Sequence, residues 1–139
     1  MNKILVQLLK CFYPPMIVFF VHLIFGGYFR FYLIFPNFDI PMHFLGGMSI
    51  GITGVLLLRL AQKEGWMNIK KKIISLFLIL CFVALAATIW EFLEWLGDFY
   101  LQTRMQAGLN DTMGDMLLGL FGGLVSGIIF LFKTSGVKK

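Results

Sequence analysis

Three carboxylates, Glu91, Glu94 and Asp98, close an apolar run that begins near Ile73. On a helix turning about 100° per residue they fall within roughly 60° of one another and share one stripe. They lie at the C-terminal end of that helix, where the macrodipole is negative and carboxylates are disfavoured, so capping does not account for them. Two further pairs carry related chemistry: Asp39 with His43, and Asp111 with Asp115, each spaced so that both members face one side of a helix. Several carboxylates and an imidazole in a partly desolvated place cannot all ionise without compensation. Either some carboxyls stay protonated, as in a proton relay or a neutral hydrogen-bonded cluster, or a divalent cation binds among them. Asp39, His43, Glu91, Glu94, Asp111 and Asp115 form the candidate metal set. An oxygen-rich set with one His suits Mg²⁺ or Mn²⁺, and Zn²⁺ if few ligands engage. Such a centre can activate water against a phosphoester. Glu94 and His43 are then the candidate catalytic residues, with Glu91, Glu94 and Asp115 as ligands, His43 as ligand or proton shuttle, a spare carboxylate as general base, and Arg30 or Arg104 as a phosphate clamp.

The elements that must position these groups are membrane spans. The chain is 59% hydrophobic and only 14% charged, with a mean hydropathy of +0.86. Those values lie far outside the soluble range. The fold class expected is an all-α integral membrane protein: one domain over residues 1–139, a four-helix transmembrane bundle with an N-terminal interfacial amphipathic helix. Residues 1–12 supply that helix, with Ile4, Leu5, Leu8 and Phe12 on one face and Lys3, Gln7 and Lys10 opposite. Spans follow at about 16–34, 39–60, 73–100 and 110–132, with Pro14-Pro15 and Pro36-Asn37 marking the first breaks. Cys11 and Cys81 lie at different depths, so they read as two buried thiols and not as a disulfide.

Charge distribution orients the bundle. Ten of the twelve Lys and Arg fall on one side if there are four spans, and only Arg30 and Arg104 on the other. Both termini are therefore expected in the cytoplasm of a cell whose plasma membrane holds the chain. The basic excess reflects topology and attraction to membrane lipids, with no nucleic-acid partner implied. Six of the seven acids show the opposite bias, clustering with His43 at the outer ends of spans two, three and four. Spans two and four also share a pattern: Asp39-x3-His43-x3-Gly47-x3-Gly51 beside Asp111-x3-Asp115-x3-Gly119-x3-Gly123-x3-Gly127. In each, small residues continue the polar stripe and allow backbones to approach closely.

Plainer roles compete with the chemical ones. Asp39 and Asp111 also suit the N-cap, where the dipole favours an acid. Asp98 is the acid nearest to water. His22, alone in an apolar span, is expected to hydrogen-bond a neighbouring helix. Arg30 either snorkels to the outer interface or serves as counter-ion to the acids. Trp90, Trp95, Tyr28, Tyr32 and Tyr100 read as an interfacial aromatic belt. Functionally, a metal-dependent enzyme acting on a lipid or lipid-carrier headgroup stands beside two alternatives. One is a proton- or cation-coupled transporter, which with four spans requires a homo-oligomer; the other is an assembly protein whose cluster is structural.

Asp39-x3-His43-Phe44, Trp90-Glu91-x2-Glu94-Trp95 and Asp111-x3-Asp115-Met116, in that order, resemble the YjdF-like bacterial inner-membrane family over about residues 35–127. More loosely, the succession of Asp/His, acids and an Asp- and Gly-rich span is similar to VanZ-like membrane proteins. These resemblances imply a small bacterial membrane protein and supply no reaction. The topology is testable with an impermeant maleimide, in a background lacking Cys11 and Cys81. Thr103→Cys should label in intact cells and Lys63→Cys only after permeabilisation; the reverse pattern would invert the bundle.

Overall fold

A computed structural model describes residues 3–132, and the basic tail containing Lys133, Lys138 and Lys139 lies outside them. The described chain is all helical, with no strand. Its helices are α1 (Lys3–Cys11), α2 (Tyr13–His22), α3 (Phe31–Ile34), α4 (Asp39–Lys63), α5 (Lys72–Leu101) and α6 (Leu109–Phe132). Three of them, α4, α5 and α6, are long and apolar enough to cross a membrane. A fourth crossing exists if α1 and the helical stretch Tyr13–Tyr28 count as one span bent by 42°. The bend falls at Phe12-Tyr13-Pro14-Pro15, where proline rings fit the first turn of a helix but interrupt a longer one.

The first crossing also ends sooner than a uniform span over 16–34 would. After α2 the chain widens into a π-helical turn, Leu23–Tyr28, in which the Phe29 N–H reaches the Ile24 carbonyl at 3.0 Å. The turn contains Gly26-Gly27, the weakest helix formers in the span. Arg30 then adopts a left-handed conformation (φ 54°), which stops the helix and costs a non-glycine residue about 1–2 kcal/mol. Short α3 and a 3₁₀ turn, Pro36–Phe38, lead into α4. Their rings interlock locally, Phe31 against Phe38 at 5.4 Å and Tyr32 against Phe38 at 5.3 Å.

Helices α4 and α6 form the closest pair in the bundle, and glycine permits it. A Cβ placed on Gly47 would strike the Gly119 backbone, and one on Gly122 the Phe44 carbonyl. One on Gly51 would meet Ser126 Oγ and the Gly123 backbone. Helix α5 packs across this pair, burying Val83 and Ile79 against Val55 of α4. Buried hydroxyls return to their own helices: Ser49 Oγ donates to the Gly46 carbonyl (2.7 Å), Thr53 to Ser49 (3.0 Å) and Ser126 to Gly123 (3.0 Å). No water competes in the hydrocarbon layer, so such internal partners are needed.

The outer surface is built the other way round. Only 17% of the most apolar window of α5 is buried, although this helix has the highest mean hydropathy, 2.7. Leu85, Ile89, Phe92 and Leu93 point outward, as a lipid-facing surface requires. Cys81 is exposed on that surface and only Cys11 is buried; both are free thiols. A core held by glycine contacts predicts a sharp contrast. Gly47→Ala should cost about 1–3 kcal/mol by overpacking and lower the melting temperature in detergent. Gly46→Ala, whose added Cβ meets nothing within 4 Å, should leave it unchanged.

Candidate functional site

The close approach of α4 and α6 brings Asp39 and His43, in the first turns of α4, beside Asp115 in the second turn of α6. Helix α5 runs the opposite way and delivers Glu91 and Glu94 from its C-terminal third. His43 lies between the two sets. Its Nε2 is 3.2 Å from Asp39 Oδ1 and 3.8 Å from Asp115 Oδ2, while its Nδ1 is 4.0 Å from Glu91 Oε1. One ring thus presents each of its nitrogens to a different group of carboxylates.

Burial makes this juxtaposition consequential. Glu91, Glu94 and Asp115 are 6%, 7% and 5% exposed, in a region where ionised carboxylates need partners. Glu94 Oε1 accepts from Trp90 Nε1–H at 2.6 Å. Glu91 Oε2 accepts from the Gln106 side-chain amide at 3.2 Å, and the same amide reaches the Glu91 carbonyl. Asp115 accepts no hydrogen bond among the described residues; its charged neighbour is His43. These acids have neutral donors and one imidazole where a sequence reading looks for a cation. Arg30 and Arg104 are both exposed, and neither pairs with a carboxylate among the described residues.

Ligands on one ion at metal–ligand distances near 2.1 Å lie roughly 3–3.5 Å apart. Two groups approach that geometry, with ligand atoms within 4.8 Å of one another: Asp39, His43 and Asp115, and His43, Glu91 and Glu94. Either could hold a metal. The first is the more open to a ligand, because no hydrogen-bond donor among the described residues occupies Asp115, whereas one oxygen of Glu91 and one of Glu94 each accept from a neighbour. Asp111 belongs to neither group. Its Oδ2 accepts from the Ala107 N–H at 3.0 Å, so it organises the turn that starts α6.

Asp98, the acid nearest to water, has a structural task. It accepts from Thr103 Oγ1 (2.6 Å) and from the backbone N–H groups of Met105 (2.8 Å) and Gln106 (3.0 Å). This folds the connection after the left-handed Gln102 back over the end of α5 and carries Gln106 to Glu91. His22 is hydrogen-bonded by Tyr32 across 2.9 Å and packs edge-on against Trp90 at 5.5 Å. Tyr32, Trp90 and Gln106 therefore support the site although none stands out as a ligand type. For Trp90 a signal existed, since it lies one turn before Glu94 on the same helix. For Gln106 none did, because only the folded connection brings it near.

A sequence profile for DUF2238, a family described as a predicted membrane protein, matches residues 4–135. The chain belongs to this family. The match covers every helix that contributes to the His43 cluster, so in this DUF2238 protein the site and the family domain coincide. No curated protein and no solved structure matches it. The strap role of Asp98 gives a direct test. Asp98→Ala should speed proteolytic cleavage within 102–108 and raise amide exchange there, while the helices keep their protection; unchanged cleavage would deny Asp98 that role.

Proposed function

We propose that this DUF2238 protein is a metal-dependent membrane enzyme acting on a phosphate-bearing lipid or lipid-carrier headgroup at the outer leaflet, and that it is a YjdF-like member of the family. One observation supports the reading above others. Asp115, 5% exposed and lining a cavity, lies 3.8 Å from His43 Nε2, which Asp39 also approaches, at 3.2 Å. Two carboxylate oxygens and one imidazole nitrogen make a donor set for Mg²⁺ or Mn²⁺, and for Zn²⁺ at low coordination number. A cation there would lower the pKa of a bound water and polarise a phosphoryl oxygen.

The chain's own residues would then divide the work. Asp39, His43 Nε2 and Asp115 hold the ion. Glu91, on the Nδ1 side, orients the imidazole and fixes its tautomer, a role that carboxylates commonly take behind a ligating His. Gln106 holds Glu91 in turn, and Trp90 holds Glu94. Glu94 is the spare carboxylate on the far side of His43, available as general base. With both termini cytoplasmic in the plasma membrane of a bacterial-type cell, this centre would lie at the level of the outer headgroups. The transport alternative draws on the same imidazole: a ring with each nitrogen facing a carboxylate is also a proton relay.

Metal content separates these readings. Elemental analysis of the purified protein should find about one divalent ion per chain. Asp115→Asn should abolish retention, and Glu91→Gln should weaken affinity by roughly 10–100-fold. Negligible metal in all three proteins would eliminate the metal centre and leave the proton relay.

A further inference from the structure

A cavity of about 350 Å³ opens beside the His43 cluster, within the size range of small-ligand sites. Its residues run in register along four helices. His22 of α2, His43 of α4, Trp90 of α5 and Asp115 of α6 line one end. Phe12, Ile50 and Val83 line the other. From His43 to Ile50 along α4 is roughly 10 Å at 1.5 Å per residue. The cavity is therefore an apolar slot with ionisable groups confined to its outer end.

The walls indicate what fits. On the inner side the lining includes the small residues Gly46, Gly47, Ala86 and Gly119. On the other side Phe12, Met16 and Phe19 are 42%, 47% and 40% exposed, so this wall is also outer surface of the protein. At that depth the surroundings are hydrocarbon. Water filling such a slot would find few polar partners, and an empty slot would forfeit dispersion contacts. An acyl chain entering from the bilayer satisfies both conditions, and its own headgroup would then lie at the His43–Asp115 end.

We infer that this cavity binds one unbranched acyl chain of a membrane phospholipid and thereby presents the headgroup phosphate to His43 and Asp115. The inference rests on the proposed headgroup chemistry only for what the polar end does. Chain binding follows from the slot itself. A diacyl phospholipid, whose chains make up the surrounding hydrocarbon, is then the substrate class. It also explains why the first crossing is broken: the bend at Phe12 sets α2 at an angle that leaves room beside α4 and α5.

The test is photolabelling of the full chain in phosphatidylethanolamine vesicles, doped with a phosphatidylglycerol bearing a diazirine on one acyl chain. Wild type should form adducts on Ile50 and Ala86, which line the slot, as well as on the outward-facing Phe92 and Leu93. Gly46→Leu fills the slot from α4 without a clash at Cβ, and Ala86→Leu fills it from α5. Each should lower adducts on Ile50 by about tenfold, the loss expected when roughly two methylene groups are excluded, and leave Phe92 and Leu93 labelling unchanged. Adducts only on Phe92 and Leu93, or Ile50 adducts unaffected in both variants, would overturn the inference. So would competition by unlabelled polyprenyl phosphate but not by unlabelled phospholipid. Metal content measured on the same samples keeps the two ideas apart. Bound metal without slot labelling sinks the chain site alone, whereas slot labelling without metal upholds the chain site and removes the metal centre.

Discussion

Close contact between the backbones of α4 and α6 is the constraint on which the arrangement depends. In a bilayer, lipid tails are as apolar as leucine, so helices gain little by hiding hydrophobic surface from one another. What holds them is fit and dispersion at short range, and glycine permits the shortest range. Gly47 against Gly119, and Gly51 against Gly123 and Ser126, set two helices side by side with both N-terminal ends at one level. Those ends carry Asp39, His43 and Asp115. Packing and chemistry therefore share one face, with the small residues continuing the stripe on which the polar groups begin.

The third helix adds acids from the opposite direction, and with them an electrostatic difficulty. Glu91 and Glu94 sit near the negative end of the α5 dipole, buried, with no guanidinium or ammonium against them among the described residues. The structure meets the difficulty with neutral donors: Trp90 on Glu94, Gln106 on Glu91, and His43 between the groups. Asp98 contributes indirectly by folding the connection that carries Gln106. A set of carboxylates held by neutral donors keeps its demand for a cation or a proton, which a set neutralised by arginine would not. That residual demand distinguishes a chemical centre from a salt-bridged strut.

Several features were invisible until the chain was folded because they depend on local departures from regular helix. A hydropathy window reads residues 16–34 as one span. The π-helical turn at Leu23–Tyr28 and the left-handed Arg30 end it early and return the chain through an aromatic knot. Cys81, read from the sequence as buried, is exposed; an apolar helix of this length offers no periodic polar face to say which side meets lipid. Asp111 and Asp115 both entered the candidate metal set, although only Asp111 also suits an N-cap. One turn of helix separates a backbone-bonded turn residue from a buried carboxylate facing a cavity.

Composition, span periodicity and charge asymmetry were enough to determine an all-helical membrane protein with its acids and His43 gathered at one level. These properties follow from the bilayer acting as solvent, and a linear chain records them directly. The glycine spacing also marked the faces of α4 and α6 on which backbones could approach closely, while only the fold set those two faces against each other. Tertiary structure alone decided which carboxylates meet His43, which nitrogen each one faces, and that Gln106 and Trp90 hold two of them. It alone decided, too, that a slot opens between a bent first crossing and the helices α4 and α5. Such matters turn on ångström-scale placement of side chains from helices far apart in sequence, and residue spacing along a chain carries no information about them.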